Sequence, residues 1–130
     1  MAKSLVIVDS CVFIKAFRKD ARARDDLKKI EGKTAYSVIT QLELLIGANT
    51  KIKKEAIAEI FKSYYGIPLI PEISIKAVEI MQRYITGQQT LSVPDGLIAA
   101  TALVHDLPLL TADKDFKKVS VDVPIILLSI

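Results

Sequence analysis

The feature that most constrains this chain is a short apolar run near its start that ends on a carboxylate. Leu5-Val6-Ile7-Val8 is rich in β-branched residues and too short for a helix, and Asp9 and Ser10 follow it directly. The pattern predicts a buried central strand within Ser4–Ser10. Because ligands of open α/β sheets bind beyond the carboxyl ends of the strands, Asp9 is the first candidate functional residue.

Strand-like and helix-like segments alternate along the rest of the chain. The further predicted strands are Thr34–Ser37, Ile67–Ile70 at a sheet edge, Leu109–Thr111 and Val123–Leu128. The predicted helices are Cys11–Phe17, a charged helix within Arg18–Lys33, Val38–Ala48, Lys53–Tyr64, Ile73–Thr86 ended by Gly87, and Ser92–Val104, with a loop at Gln88–Thr90. The alternation predicts a three-layer α/β/α fold with a central, largely parallel sheet of four to five strands, forming a single domain over residues 1–130.

The amino-acid composition limits which metal or disulfide sites the chain can contain and which cellular compartment it suits. A chain with one cysteine and one histidine has no internal disulfide and no Cys/His zinc site, which favours a reducing compartment. No segment resembles a signal peptide or a membrane span, so we expect a cytoplasmic protein without a membrane partner. Cys11 is expected to be a small buried hydrophobe. The net charge of +3 permits a polyanionic partner without requiring one.

Four carboxylates occupy positions that a parallel sheet would bring together. Asp9 and Asp113 each follow a predicted strand. Asp95 begins the most apolar helix, and Glu43 lies beside the buried stripe of another. Each has an ordinary explanation when taken singly, as a turn residue, a helix cap or an exposed side chain. Gathered in one crevice they would repel one another, which raises their pKa values unless a cation lies among them.

The donor chemistry of this set favours a hard cation. Carboxylate oxygens without a cysteine or a usable histidine select Mg²⁺ or Mn²⁺. One or two such ions activate water for attack on phosphorus, which is the chemistry of phosphodiester cleavage. Ser10 and Thr111 are expected to support such a site by orienting ligands or water.

The same residues carry a resemblance to a known family. Over essentially its whole length the chain resembles a PIN domain, in particular the small VapC-type toxin ribonucleases. The matching segments are Val8-Asp9-Ser10, Gln41-Leu42-Glu43-Leu44-Leu45-Ile46-Gly47, Pro94-Asp95-Gly96-Leu97-Ile98-Ala99-Ala100 and Thr111-Ala112-Asp113-Lys114-Asp115-Phe116. Each segment is short, but their order and spacing together are fairly specific.

The resemblance implies a PIN-like fold and an endoribonuclease that depends on Mg²⁺ or Mn²⁺. It assigns the catalytic and metal-binding roles to one acidic set, Asp9, Glu43, Asp95 and Asp113, with Ser10 beside it. Asp115 is a spare carboxylate that ranks below Asp113, because Asp113 matches the family position. As the toxin of a type II toxin–antitoxin system, such a protein would have an RNA substrate, a VapB-like antitoxin that blocks its site, and a second copy of itself as partners.

Basic residues near the predicted crevice are candidate phosphate contacts. The RNA-binding candidates are Arg18, Arg22, Arg24 and Lys114. Acidic residues are interspersed through Arg18–Lys33, so a solvated helix surface is the competing interpretation, and the more ordinary one.

Other functions fit the sequence less well. A haloacid-dehalogenase-like phosphatase expects a second Asp where this chain has Cys11, and a response-regulator receiver expects an Asp after the third strand, which ends at Ile70 without one. Two alternatives stay open on the same fold. They are a housekeeping PIN nuclease that processes ribosomal RNA and a non-catalytic RNA-binding module.

Overall fold

The computed structural model describes residues 4–84, 91–120 and 122–128. Its strands there are β1 (Val6–Val8), β2 (Thr34–Ser37), β3 (Tyr65–Ile67), β4 (Leu109–Thr111) and β5 (Ile125–Leu127). Its helices there are α1 (Ser10–Phe17), α2 (Ala21–Lys29), α3 (Val38–Gly47), α4 (Lys51–Phe61), α5 (Pro71–Tyr84) and α6 (Val93–His105), with a 3₁₀ helix at Lys114–Val119. None of the helices in these ranges is long and apolar enough to cross a membrane.

The strands form one parallel sheet in the order β3-β2-β1-β4-β5. In the centre, Ile7 of β1 pairs with Ala35 of β2 on one side and Leu109 of β4 on the other. All three residues of β1 are buried, as expected for a parallel strand covered on both faces. The strand order reverses between β1 and β4, and the crevice at such a switch point is the usual ligand site of an open α/β sheet.

Helices pack on both faces of the sheet, which confirms the predicted three layers. On one face Ile73 of α5 and Ile98 of α6 pack with Ile7 in one hydrophobic cluster. On the other face Phe13 of α1 and Phe61 of α4 belong to a second cluster, with their ring centroids 5.5 Å apart in an edge-to-face contact. The sheet is therefore buried from both sides by apolar side chains of the helices.

The start of α6 is fixed by local chemistry and by packing. Ser92 is the N-cap, and its hydroxyl accepts a hydrogen bond of 3.2 Å from the backbone N–H of Asp95. Gly96 follows, and a Cβ there would lie 2.6 Å from Sδ of Met81 on α5. A glycine at this position thus lets α6 approach α5 closely, which sets where Asp95 lies.

Several element boundaries differ from the sequence-based expectation. Helix α5 begins at Pro71 rather than Ile73, α4 ends at Phe61 rather than Tyr64, and β5 is Ile125–Leu127 rather than Val123–Leu128. Two further differences have a local cause. The edge strand is Tyr65–Ile67 rather than Ile67–Ile70, so that prediction was wrong in its range, although the edge position is confirmed. The reason is Pro68, which has no N–H with which to continue the ladder, so the strand lies before it. Helix α4 begins at Lys51 because the hydroxyl of Thr50 caps it by accepting from the backbone N–H of Lys53 at 3.1 Å. The predicted helix end at Gly87 and the loop at Gln88–Thr90 lie outside the described residues.

Candidate active site

Asp9 lies at the carboxyl end of the central strand and begins α1. Its backbone is extended, with φ −71° and ψ 153°, and its Oδ1 accepts a hydrogen bond of 2.9 Å from the backbone N–H of Ser10. Asp9 is only 3% exposed, which is rare for a carboxylate without a cationic partner. Burial of this kind requires hydrogen-bond donors around the carboxylate.

Two further donors meet the second oxygen of Asp9. The hydroxyl of Thr111, at the end of β4, donates to Oδ2 at 2.9 Å, and the thiol of Cys11 donates to the same oxygen at 3.1 Å. Cys11 is partly exposed rather than a buried hydrophobe, so that expectation was wrong. Its position two residues after Asp9, in the first turn of α1, turns Sγ back toward the carboxylate. That position was the sequence signal that could have revealed the contact.

Glu43 reaches the same crevice from α3. Its Oε1 accepts a hydrogen bond of 3.2 Å from the hydroxyl of Ser10, and its side chain is half-buried. Ser10 therefore links two acidic residues, donating its N–H to Asp9 and its O–H to Glu43. The sequence placed Glu43 at the border of the apolar stripe of α3, and the structure shows that this border faces α1.

Asp95 and Asp113 come from the other side of the crevice. Asp95 lies in the first turn of α6 and is partly buried. Asp113 follows β4, caps the 3₁₀ helix, and accepts a hydrogen bond of 2.9 Å at Oδ1 from the backbone N–H of Asp115. The side chain of Asp115 is exposed, with its Oδ1 3.8 Å from Nζ of Lys118 on the next turn. Asp115 thus contributes its backbone to the site, whereas its carboxylate pairs on the surface.

Burial and neighbouring negative charges raise the pKa values of Asp9, Glu43 and Asp95. Burial, together with the negative charges of Asp9, Asp113 and Glu43, raises the pKa of Asp95 to about 6 against the hydrogen bond with Ser92. Burial also raises the pKa of Asp9, opposed by the donors Cys11, Thr111 and Ser10. The pKa of Glu43 is raised by burial and by the charge of Asp9, and lowered by Ser10. The four predicted acids therefore share one electrostatic environment.

The charges and donor atoms suit a divalent cation bound with much of its own water. Within residues 4–84, 91–120 and 122–128, no three acidic, histidine or cysteine side chains already lie close enough to hold a metal ion. Mg²⁺ commonly takes only one or two carboxylates and keeps several waters, so a ready-made cage is not needed. The all-oxygen donor set and the mutual repulsion of the carboxylates both fit such an ion.

An apolar groove of about 500 Å³ opens beside Glu43. Helices α1, α3 and α4 form its walls, and Arg18 and Lys53 lie along it. Its apolar lining residues are Ile14, Phe17, Leu44, Ala48, Ile57 and Ile60. Lys53 was not among the sequence-based candidates, because its place in this groove depends on how α4 packs on α3.

The predicted basic residues do not all face the crevice. Arg18 lies in the groove beside Glu43, and Lys114 follows Asp113 on an exposed turn. Arg24 donates from Nε to the carbonyl of Ala16 in the last turn of α1, at 3.0 Å. It lines a separate groove with Thr34 and Tyr64, at the amino ends of the strands. Arg22 is exposed on α2. The structure thus separates Arg24 from the acidic crevice.

Comparison with known proteins gives concordant matches. The profile of a family described as PIN domain matches residues 6–122. Ribonuclease VapC10 from Mycobacterium tuberculosis is 35% identical over 109 residues, which cover 82% of this chain and 81% of that protein. A toxin-antitoxin complex from Klebsiella pneumoniae contains a chain with TM-score 0.76 and 28% identity, covering 85% of this chain and 89% of its own.

A more distant structure matches the fold alone. It is VapBC2 from Rickettsia felis bound to a DNA fragment from the promoter, with TM-score 0.83 at 17% identity, covering 96% of this chain and 99% of its own. The agreement over nearly the whole length of both chains supports the three-layer architecture described above.

Proposed function

Because this chain belongs to the PIN domain family, we propose that it is a metal-dependent endoribonuclease and the toxin of a type II toxin–antitoxin pair. The relative that it matches at 35% identity is named a ribonuclease. The observation that carries the proposal is the convergence of four carboxylates on one crevice, where burial and mutual repulsion raise the pKa of Asp95 to about 6. In a purely structural cluster, repulsion between carboxylates only destabilises the fold. In a cation site, the same negative charges favour binding of the ion.

The roles of the side chains follow from their contacts. Asp9, Glu43, Asp95 and Asp113 would hold Mg²⁺ or Mn²⁺. Such an ion, when bound, supplies Lewis-acid activation of the attacking water and neutralises charge at the leaving oxygen. Ser10 keeps Glu43 oriented through its hydroxyl, and Thr111 keeps Asp9 oriented from the neighbouring strand. Arg18, which lines the groove with Glu43, and Lys114, which follows Asp113, would bind backbone phosphates of the RNA.

The decisive experiment is cleavage of a labelled RNA pool by the purified chain with Mg²⁺, with Mn²⁺ and with EDTA. We expect RNA cleavage that requires the metal. Cleavage should fall by about 100-fold or more in Asp9→Asn and in Asp113→Asn. Asp115→Asn is the matched control, since it removes an exposed carboxylate two residues from Asp113, and it should retain most of the activity. Copurified antitoxin must first be excluded by mass spectrometry.

Two outcomes would favour the alternatives on the same fold. RNA that is bound but never cut, with any metal, would indicate a non-catalytic RNA-binding module. Cutting confined to precursors of ribosomal RNA would indicate a housekeeping processing nuclease.

The antitoxin partner is proposed on separate grounds. The structure at 28% identity is itself described as a toxin-antitoxin complex. The apolar groove beside Glu43 offers a surface for the apolar face of a partner segment, with Arg18 and Lys53 able to pair with its acidic side chains. A segment bound there would cover the entrance to the crevice and so block RNA. The homodimer implied by the family resemblance stays a prediction.

Coexpression with any small protein whose gene lies next to the gene of this chain tests this partner. We expect a copurifying complex with no nuclease activity. Ile57→Asp, on the groove wall, should dissociate the complex and restore RNA cleavage, while Ile75→Asp, on the exposed face of α5, should not. A complex that survives Ile57→Asp would mean that the antitoxin binds elsewhere.

A further inference from the structure

The two oxygens of Asp9 have unequal surroundings. Oδ2 accepts hydrogen bonds from Thr111 Oγ1 at 2.9 Å and from Cys11 Sγ at 3.1 Å. Oδ1 accepts one, from the backbone N–H of Ser10 at 2.9 Å. A carboxylate oxygen offers two lone-pair directions, so Oδ2 is fully used and Oδ1 keeps one free.

The donors to Oδ2 are themselves fixed by the backbone after β4. The N–H of Ala112 donates to Sγ of Cys11 at 3.4 Å, and the N–H of Asp113 donates to Oγ1 of Thr111 at 3.0 Å. With these bonds made, the hydroxyl hydrogen of Thr111 is directed at Asp9 rather than at the backbone. Thr111 is fully buried, so water does not compete for it.

This arrangement ties α1 to β4 through one carboxylate oxygen. The torsion that rotates a carboxylate is broad and weakly restrained by itself. Two donors on Oδ2, from different elements, hold the carboxylate plane in one orientation. A free lone pair on Oδ1 is then presented in a constant direction.

We propose that Cys11 and Thr111 are positioning residues that occupy Oδ2 of Asp9 and thereby reserve Oδ1 as its single cation-binding atom. The inference rests on the proposed function, because it assumes that Asp9 binds a divalent ion. It goes beyond that function by assigning a role to Cys11 and by dividing the roles of the two oxygens of Asp9. Removing a hydrogen-bond partner that orients a metal-binding side chain typically weakens metal affinity by about 10-fold to 100-fold.

The chemistry of the Cys11 contact makes a graded test possible. Cys11→Ala removes the donor to Oδ2 but leaves the donor from Thr111. Cys11→Ser keeps an O–H donor of similar size, so it should restore the function of the thiol. Thr111→Val removes the stronger donor and also leaves the N–H of Asp113 without its acceptor, so it should be the more damaging change.

The experiment measures Mn²⁺ affinity of the purified chain by electron paramagnetic resonance, without RNA. We expect Cys11→Ala to weaken Mn²⁺ binding by about 10-fold and Cys11→Ser by less than about 2-fold. In RNA cleavage at saturating Mn²⁺, Cys11→Ala should lower kcat with little change in KM, because no contact with the substrate phosphates is lost. Val12→Ala is the matched control, since it opens the core next to Cys11 and should lower stability without altering Mn²⁺ affinity.

Failure of the inference and failure of the proposed function give different results. If the wild-type chain binds Mn²⁺ and Cys11→Ala binds it equally well, Cys11 is not a positioning residue, while the nuclease proposal stands. If the wild-type chain binds no Mn²⁺ and cuts no RNA, the proposed function is wrong, and this inference is overturned with it. Weakened binding in Cys11→Ala that Cys11→Ser does not rescue would attribute the effect to packing, against the inference.

Discussion

At the scale of single residues, the crevice brings negatively charged side chains close enough together to repel one another. Asp95 is the clearest case, because burial and the charges of Asp9, Asp113 and Glu43 all raise its pKa, to about 6. The hydrogen bond with Ser92 acts in the opposite direction and lowers it. The folded state therefore favours a proton, or a bound cation, at this position.

Stability should consequently depend on pH through Asp95. An acid whose pKa is higher in the folded than in the unfolded state binds its proton more tightly when folded. The free energy of unfolding therefore falls as the pH rises from about 4 to about 6. In metal-free buffer at pH 7, Asp95→Asn should be more stable than the wild type by about 1 kcal/mol, after allowance for solvent screening, which is a Tm increase of about 4 °C.

Thermal unfolding from pH 4 to pH 8 in EDTA checks this prediction. The difference between Asp95→Asn and the wild type should shrink below about pH 4, and added Mg²⁺ should stabilise the wild type more than the variant. Asp25→Asn, which removes an exposed carboxylate on α2, serves as the control. A wild-type Tm that rises steadily between pH 4 and pH 7 in EDTA, with no gain in Asp95→Asn, would contradict the assignment.

At the scale of elements, the site depends on how α1 packs beneath it. The first turn of α1 carries Ser10 and Cys11, and its buried face carries Phe13. Phe13 stacks on Tyr64 at 5.6 Å and meets Phe61 edge-on at 5.5 Å, so one ring ties α1 to the end of α4 and the approach to β3. The orientation of Asp9 is thus supported by an aromatic cluster on the face of the sheet away from α6.

Truncating this ring should destabilise the whole chain. Phe13 is fully buried, and Phe13→Ala should lower the free energy of unfolding by about 3–5 kcal/mol, because it removes buried surface and leaves a cavity. Urea unfolding followed by circular dichroism measures this. Phe17→Ala, one helical turn later and 41% exposed, should cost less than about 1 kcal/mol. Equal losses in the two variants would mean that the cluster is not the anchor of α1.

At the scale of the whole molecule, charge is distributed unevenly around the two ends of the sheet. The acids gather at the carboxyl ends of the strands, where Arg18 lines the same groove as Glu43 and Lys114 follows Asp113 in the chain. Arg24 and Lys28 line a groove at the opposite end, with Thr34 and Tyr64. A net charge of +3 then adds a general attraction for RNA that does not distinguish the two ends.

This separation predicts which basic residues bind RNA phosphates. In the Asp9→Asn background, which should prevent cleavage, Arg18→Ala and Lys114→Ala should each weaken RNA binding and reduce the slope of log K against log[salt] by about 1. Arg24→Ala should leave the slope unchanged. Fluorescence anisotropy at several salt concentrations measures these slopes. A reduced slope in Arg24→Ala, with none in Arg18→Ala, would place the RNA at the other end of the sheet.

Much of the fold could be predicted from local sequence. The β-branched run at Val6–Val8 and the run at Leu109–Thr111 became strands at the expected positions, because short apolar runs fit a sheet covered on both faces. The cap at Ser92 fixed the start of α6 in the same way, since a side-chain hydroxyl satisfies a free N–H within one turn. The edge strand was misplaced because the sequence predicted Ile67–Ile70, whereas pairing with β2 places it at Tyr65–Ile67, before Pro68.

The sequence by itself determined the α/β class, the order of the elements, and the places of Asp9, Asp95 and Asp113 at strand ends or a helix start and of Glu43 within a helix, because these depend on periodicity and capping within a few residues. Only the tertiary structure decided that Ser10 joins Asp9 to Glu43 and that Cys11 contacts Asp9. It also decided that Lys53 lines a groove with Glu43 and that Arg24 faces the far end of the sheet. The physical reason is the separation along the chain of the residues that determine each feature. Caps and strand ends are set by neighbouring residues, whereas contacts between side chains of α1, α3, α4 and β4 depend on how helices pack across a sheet.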